Sequence, residues 1–215
     1  MRFEMTVIGA SMGGLNALSV ILAGLPRNLP VAVAIAQHRH KSSAGELVDF
    51  LQQQSLLPIF EVEDKQAIVP RQVYLAPADY HLLIESGHFA LSTEAPVIFA
   101  RPSIDVLFES AADAYGDRAI GVILTGASQD GAAGLAKIKS CGGLTIVQAP
   151  ETAESRTMPE AAIVAVNLQQ GHVPTKILPL SQIAPFLLNI CSSYSLNLKD
   201  GGRSLIANSN EQFLT

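Results

Sequence analysis

The sequence predicts a doubly wound α/β fold, in which helices cover both faces of a mostly parallel sheet. Three observations support this prediction. Short apolar runs alternate with helical stretches, the runs lack the polar alternation of a half-exposed sheet, and one small hairpin interrupts the series. At 215 residues, with 48% apolar and 15% charged residues, the chain is expected to form one compact domain.

Five apolar runs, rich in β-branched residues, are the predicted strands of the parallel sheet. They are segments 5–8, 31–36, 73–76, 119–124 and 144–147. Helices are predicted at segments 15–25, 44–54, 104–115 and 132–141. Ser103, which follows Pro102, is the predicted N-cap of the third helix.

A small antiparallel hairpin is predicted beside the sheet, because segments 82–85 and 89–92 flank the turn Ser86-Gly87-His88. A further helix is expected to end near Cys191. Residues 195–215 are rich in Ser, Asn and Gly. We therefore expect one folded domain over residues 1–194 and a disordered C-terminal tail over residues 195–215.

Composition excludes several classes of function. The net charge is −5 and the longest basic run is Arg39-His40-Lys41, so no nucleic-acid partner is expected. No apolar run approaches about 18 residues, so no direct membrane insertion is expected, and the chain is predicted to be cytoplasmic. Cys141 and Cys191 lie far apart without metal-ligand spacing, which favours two reduced core thiols and no metal site.

The turn Gly9-Ala10-Ser11-Met12-Gly13-Gly14 follows the first strand directly and leads into a helix. A serine in such a turn is either a nucleophile or part of a phosphate cradle. A Rossmann-like nucleotide site requires an acidic residue at the end of the second strand, where this chain has Gln37-His38. The short-chain dehydrogenase pattern is also missing, because no tyrosine is followed by a lysine four residues later. Nucleotide binding remains the weaker alternative.

Histidine is the usual base that activates a serine near neutral pH. His38 ends the strand expected beside the first one, so both side chains would emerge at one edge of the sheet; alternatively, His38 caps a strand end. Asp130 follows the strand at 119–124 and either orients the His38 ring or caps the helix that begins after it. The backbone N–H groups of Met12 and Gly13 are the candidate oxyanion hole.

The order of these residues argues against an α/β-hydrolase. In that fold the acid precedes the histidine and several strands precede the serine. Here the serine follows the first strand, and His38 precedes Asp130.

Five motifs, in this order, closely resemble the catalytic domain of the chemotaxis protein-glutamate methylesterase, CheB. The resemblance covers residues 5–190. The motifs are the Ser11 turn, Gln37-His38, Ala76-Pro77-Ala78-Asp79-Tyr80-His81-Leu82, Arg101-Pro102-Ser103-Ile104-Asp105-Val106-Leu107-Phe108, and residues 124–131.

The resemblance implies hydrolysis of glutamate methyl esters on chemoreceptor-like proteins, with release of methanol and no cofactor, and deamidation of certain glutamines. It makes Ser11 the nucleophile, His38 the base and Asp130 the orienting acid. For Arg101, Ser103 and Asp105, we expect salt-bridging or helix-capping roles. A binding module for receptor helices, derived from a degenerate esterase, is the non-enzymatic alternative.

Several positions depart from the family pattern. His40 replaces a usual proline, Ala127 and Ser128 replace a methionine and a glycine, and Thr157 replaces a glycine. Because four residues precede the first strand, we expect no receiver domain and no control by phosphorylation within the same chain. A separate receiver or methyltransferase protein is a candidate partner, besides the methylated protein substrate.

Overall fold

The computed structural model describes residues 3–39, 46–169 and 173–200, and this part of the chain forms nine strands and six α-helices. The elements follow the order β1 (Met5–Ala10), α1 (Gly14–Ala23), β2 (Ala32–Gln37), α2 (Glu46–Gln52), β3 (Ile59–Glu61), β4 (Val73–Leu75), β5 (His81–Ile84), β6 (Phe89–Ser92), α3 (Ile104–Tyr115), β7 (Ala119–Ile123), α4 (Ala132–Ser140), β8 (Leu144–Gln148), α5 (Thr157–Asn167), β9 (Lys176–Leu178) and α6 (Leu180–Asp200).

Seven strands form one parallel sheet in the order β3-β4-β2-β1-β7-β8-β9. Strands β5 and β6 form a separate antiparallel pair in which His81 lies opposite Ser92 and Ile84 opposite Phe89. The predicted fold class and the predicted hairpin are therefore both confirmed.

Helices cover both faces of the sheet because the strands are apolar on both sides. Along β1, Ile8 contributes to the core beneath α1, α2 and α6, whereas Val7 contributes to the core beneath α3, α4, α5 and the hairpin. Leu18 of α1 and Phe108 of α3 are fully buried in these two cores. The sheet is thus a rigid middle layer from which the strand-end loops project.

The topology places a crevice at the carboxyl end of the central strands. β1 lies between β2 and β7, and the chain leaves β1 toward α1 on one face but leaves β7 toward α4 on the other. The loops after β1 and β7 therefore diverge, which is where open parallel sheets bind their ligands. Ser11 and Asp130 lie on these two loops.

The structure corrects some details of the sequence predictions. Two edge strands of three residues each, β3 and β9, were missed because each has only two apolar residues beside one charged residue. Cys191 is buried as expected, but Cys141 is exposed at the C-cap of α4, so it is not a core thiol. Helix α6 continues to Asp200, beyond its expected end near Cys191.

Other predictions lie partly or wholly outside the described residues. These are His40, the first two residues of the predicted helix 44–54, and residues 201–215 of the predicted tail. The division into a domain and a tail remains a prediction. Among the helices that the structure describes, none is both long and apolar enough to cross a membrane.

Candidate active site

Three hydrogen bonds fix the main chain of Ser11. Its N–H donates to the carbonyl of Thr125 at 3.0 Å, and its carbonyl accepts from the N–H of Gly14 at 2.9 Å and from Nε2 of Gln37 at 2.9 Å. Gly13, the N-cap of α1, has a φ of 76°, a left-handed conformation that glycine adopts without a steric penalty. These contacts hold a half-buried serine between β1 and α1.

The loop after β7 approaches Ser11 very closely at Gly126. A Cβ added at Gly126 would lie 2.9 Å from the Cβ of Ser11 and 2.6 Å from Cε of Met158. Only a glycine fits at this point without displacing the serine. The Leu124-Thr125-Gly126 motif therefore brings the third strand-end loop against the first.

His38 emerges from the strand beside that of Ser11. Ala10 of β1 is paired with Gln37 of β2, and the N–H of His38 donates to the carbonyl of Ala10 at 3.0 Å. Ser11 and His38 are thus the first residues beyond the last registered pair. Neighbouring strands lie about 4.8 Å apart, so both side chains leave the sheet at the same edge. The expected position of the His38 strand beside the Ser11 strand is confirmed, and the contact between the Ser11 hydroxyl and the His38 ring stays a prediction.

Asp130 contacts His38 directly, although 92 residues separate them in the chain. Oδ2 of Asp130 lies 2.7 Å from Nε2 of His38. The carboxylate is fully buried and also accepts hydrogen bonds from the Ser103 hydroxyl (2.8 Å), the Ile104 N–H (2.7 Å) and the Asp105 N–H (3.0 Å). Both oxygens are therefore engaged.

These hydrogen bonds control the charge of Asp130. Burial by itself would raise the pKa of this carboxyl, but the hydrogen bonds from His38, the Asp105 and Ile104 N–H groups and Ser103 together lower the pKa below its ordinary value. Asp130 is consequently ionised at neutral pH. The alternative that Asp130 caps the helix following it is wrong, because the N-cap of α4 is Gly131 and the Asp130 oxygens accept from His38 and the start of α3 instead. The carboxylate instead occupies the N-terminus of α3.

Asp105 makes the reciprocal contact. Its Oδ1 accepts from the N–H of Gly131 at 2.9 Å and from the N–H of Gly134 at 2.7 Å, so a carboxylate from the first turn of α3 binds the start of α4. Burial raises the pKa of Asp105 to about 6, against the effect of the Gly134 hydrogen bond and reinforced by the negative charge of Asp130. The expected capping role of Asp105 is confirmed.

Arg101 and Ser103 have the structural roles that the sequence predicted, salt bridging and helix capping. Arg101 pairs with Asp79 at 2.6 Å, and the Ser103 hydroxyl accepts from the Val106 N–H at 3.4 Å as the N-cap of α3. His81, for which the sequence indicated no role, is buried. Its Nδ1 accepts from the Ser103 N–H at 3.2 Å and its Nε2 lies 3.1 Å from the Ala95 carbonyl.

The candidate oxyanion donors lie at the start of α1. Neither the N–H of Met12 nor that of Gly13 has an acceptor among the described residues, while the carbonyl of Met12 accepts from the Thr125 hydroxyl at 2.9 Å. Both groups remain predictions as oxyanion donors. They are backbone dipoles at a helix N-terminus, where partial positive charge is concentrated.

Two cavities adjoin His38. A cavity of about 470 Å³ has the apolar side chains of Leu15, Leu47 and Phe50 in its wall. A second cavity, of about 280 Å³, also has His38 in its wall and includes Phe99. No group of three or more His, Cys, Asp or Glu side chains in the described ranges is arranged to hold a metal ion.

Sequence reasoning missed two contributors to this site. Gln37 was interpreted as the absence of an acidic ribose ligand and as part of the Gln37-His38 motif, without a contact assigned to it, but its Nε2 donates to the carbonyls of both Ser11 and His38 at 2.9 Å. Ser103 was predicted as a helix cap, but its hydroxyl also donates to Asp130. A polar residue ending a fully apolar strand was the available signal for Gln37.

Comparisons with known proteins agree with this geometry. The family model described as CheB methylesterase matches residues 6–187. A relative from Leptospira interrogans is 45% identical over 191 residues, which cover 88% of this chain and 96% of the relative. A relative from Anaeromyxobacter dehalogenans, named protein-glutamate methylesterase/protein-glutamine glutaminase 2, is 39% identical over 85% of this chain and 52% of its own length.

A solved structure supports the fold independently. The crystal structure of the Thermotoga maritima CheB methylesterase catalytic domain matches with a TM-score of 0.81 and 31% identity, covering 88% of this chain and 100% of the solved one. The resemblance inferred from five motifs is therefore confirmed over most of the chain. This protein belongs to the CheB methylesterase family.

Proposed function

We propose that this chain is a protein-glutamate methylesterase that hydrolyses the methyl esters of glutamate side chains through Ser11, His38 and Asp130. The observation that carries the proposal is the 2.7 Å contact between Nε2 of His38 and Oδ2 of Asp130, at the sheet edge where Ser11 emerges. Family membership supplies the reaction class.

The charge state of Asp130 sets the direction of proton transfer. An ionised carboxylate can only accept hydrogen bonds, so Nε2 of His38 carries the proton in that contact. In the neutral ring, Nδ1 is then the nitrogen that is free to take a proton from Ser11. This arrangement is the mirror of the serine-protease triad, in which the carboxylate binds Nδ1 and Nε2 faces the serine.

The reaction is acyl transfer in two stages. Ser11 Oγ bonds to the ester carbonyl carbon as His38 takes the hydroxyl proton, and the Met12 and Gly13 N–H groups stabilise the oxyanion. The C–O bond to the methoxy group then breaks, and His38 returns the proton to release methanol. Water repeats these steps on the acyl-enzyme, leaving a glutamate carboxylate and a free serine. A glutamine side chain would lose ammonia by the same route.

The substrate we propose is a methylated chemoreceptor-like protein. The Anaeromyxobacter relative is named for both methylesterase and glutaminase activities, and a buried, ionised Asp130 bonded to His38 favours an active enzyme over a degenerate binding module. A cytoplasmic location and a separate receiver or methyltransferase partner belong to the same proposal. The Rossmann-like nucleotide alternative is not retained, because the chain belongs to an esterase family.

Ser11→Ala tests the nucleophile. We expect methyl-ester turnover to fall by at least about 10⁴-fold, while thermal stability changes little, because Ser11 is half-buried and its hydroxyl has no partner among the described residues. A fluorophosphonate reagent followed by peptide mass spectrometry should label Ser11 in the wild type.

Ser19→Ala is the matched control, since Ser19 lies on α1 and its hydroxyl donates to the carbonyl of Leu15. This control should keep both turnover and labelling. Substantial turnover by Ser11→Ala, or labelling at another serine, would contradict the proposed nucleophile.

A further inference from the structure

The turn formed by residues 97–100 lies between the hairpin and α3 and points two large apolar side chains at solvent. Phe99 is fully exposed, at 102% of its reference area, and Ile98 is 48% exposed. Burying an apolar side chain is what stabilises a fold, so a fully exposed phenylalanine contributes almost nothing to this one. The fold itself gives no reason for an aromatic residue here.

The backbone of the turn is unfavourable for the residues that occupy it. Val97 and Ala100 exchange hydrogen bonds of 3.1 and 2.8 Å, and both central residues have positive φ, 47° at Ile98 and 62° at Phe99. Turns of this kind prefer Asn and Gly, and a β-branched residue at positive φ is a marked exception. Strain of this type persists mainly at functional sites.

The base of the 97–100 turn is firmly anchored by Arg101. Its guanidinium donates to the carbonyls of Thr93 and Glu94 at 2.8 and 2.9 Å and to Oδ1 of Asp79 at 2.6 and 2.9 Å. The exposed side chains are therefore presented on a rigid support, which reduces the entropy lost when a partner binds.

The position of the turn links it to the proposed catalytic residues. Phe99 and His38 line the same cavity of about 280 Å³. Ile98, the neighbouring residue of the turn, lines a different, open groove of about 640 Å³ between α4 and α5, which also includes the exposed side chains of Val164 and Leu168. The turn is thus an apolar ridge between the reacting centre and a largely apolar groove.

We propose that the 97–100 turn is a docking ridge for the polypeptide segment that carries the ester, with Phe99 as its main contact. The inference rests on the proposed function. The occupant follows from the shared cavity, because any partner that covers Phe99 lies beside the base that acts on the ester. A small ester can reach His38 without touching Phe99, whereas a polypeptide extends past the ester on both sides. Aromatic side chains, phenylalanine among them, are enriched at protein interfaces relative to the rest of the surface.

Phe99→Ser tests the ridge with two substrates. One is N-acetylglutamate γ-methyl ester amide, and the other is a helical peptide of about 20 residues with a central glutamate methyl ester flanked by leucines. We expect kcat/KM for the peptide to fall about tenfold, through KM, while kcat/KM for the small ester stays within about twofold. Leu56→Ser is the matched control, since Leu56 is 53% exposed and lies before β3, at the opposite end of the sheet.

The double variant Ile98→Asn, Phe99→Gly separates docking from folding. These residues suit the turn, so the melting temperature should rise while peptide hydrolysis falls as in Phe99→Ser. Equal effects on both substrates, or unchanged peptide kinetics, would overturn the docking role.

Direct binding keeps this test independent of catalysis. With Ser11→Ala as the background, so that the ester is not hydrolysed during the measurement, anisotropy of the fluorescein-labelled peptide should show about tenfold weaker binding when Phe99→Ser is added, and equal affinity would overturn the ridge. If the wild type hydrolyses neither substrate, the proposed function fails, and the binding comparison still decides the docking role.

Discussion

Asp130 receives hydrogen bonds from two parts of the molecule. His38 donates one, and the start of α3 donates the others through the Ser103 hydroxyl and the N–H groups of Ile104 and Asp105. Together they hold the carboxylate ionised inside the protein, where an unpaired charge would be very costly. A single residue therefore both supports a helix N-terminus and orients the proposed base.

Asp130→Asn separates these two roles. We expect kcat to fall by about 10⁴-fold, because an amide no longer fixes the protonated nitrogen of His38. The side-chain NH₂ would also face backbone donors, which costs about 1–3 kcal/mol of unfolding free energy. Kinetics with a methyl ester and thermal unfolding measure the two effects.

The exposed Asp113, whose partner is Lys137, is the matched control for this variant. Asp113→Asn should change neither quantity appreciably. If Asp130→Asn keeps its turnover and loses only stability, Asp130 supports the helix and takes no part in catalysis.

The lowered pKa of Asp130 also predicts an acid dependence of stability. A carboxyl with a lower pKa in the folded protein stabilises it above the ordinary value of 3.8, and this stabilisation is lost as the pH falls through the folded pKa. The melting temperature should therefore fall less in Asp130→Asn than in the wild type when the pH is lowered from 5 to 2. A parallel loss in both proteins would contradict the shift.

At the scale of elements, a carboxylate beside each of the helices α3 and α4 binds the N-terminus of the other helix. Asp130, just before α4, binds the N-terminus of α3, and Asp105, in the first turn of α3, binds the N-terminus of α4. Each carboxylate satisfies backbone donors that a helix leaves open and lies at the positive end of a helix dipole. The exchange fixes the loop that carries Asp130 relative to the sheet.

Asp105 should show the opposite pH dependence. Its pKa of about 6 in the folded protein exceeds the ordinary value of 3.8, so the folded state binds more protons between these values. Its contribution to stability is present at low pH and decreases as the pH rises from about 4 to about 6. Both backbone donors bind Oδ1, so a proton on Oδ2 leaves the cap intact.

The melting temperature of Asp105→Asn should therefore rise relative to that of the wild type as the pH increases from 4 to 7, since the amide oxygen of the variant keeps both hydrogen bonds. Asp105→Ala should lose about 1–3 kcal/mol, because it leaves the N–H groups of Gly131 and Gly134 without an acceptor. Thermal unfolding across this pH range distinguishes the two variants. A constant difference between Asp105→Asn and the wild type would show that Asp105 is ionised throughout.

At the scale of the whole molecule, the sheet separates two cores, and the loop that carries Asp130 rests on one of them. Ile183 of α6 lies in the core beneath α1 and α2, whereas Phe108 of α3 lies in the core that supports the Asp130 loop. A Cβ added at Gly134 would lie 2.5 Å from Cβ of Phe108, so Phe108 packs directly on the start of α4.

Cavities made in the two cores should thus affect activity differently. Ile183→Ala should cost about 2–5 kcal/mol of stability and leave kcat/KM within about twofold. Phe108→Ala should cost about 3–5 kcal/mol and also lower kcat, because the Asp130 loop loses its support. Thermal unfolding and ester kinetics below the melting temperature measure both effects, and equal changes in kcat would contradict this division.

Much of the fold was predictable from the sequence because buried parallel strands and amphipathic helices have distinct periodicities. The predicted bounds of α3 match those observed, and Ser103 caps it as expected. The edge strands β3 and β9 were not predictable, because each has only two apolar residues beside one charged residue. Strand β4 is equally short, but it lies in the continuous apolar segment 73–76.

The sequence by itself determined the fold class, the family and the placement of Ser11, His38 and Asp130 at strand ends, because all of these depend on local pattern and on the order of motifs. Only the tertiary structure decided which nitrogen of His38 faces Asp130, which helix the Asp130 carboxylate supports, and that Phe99 shares a cavity with His38. These contacts join residues far apart in the chain, so they depend on how helices and loops pack across the sheet and leave no periodic signal in the sequence.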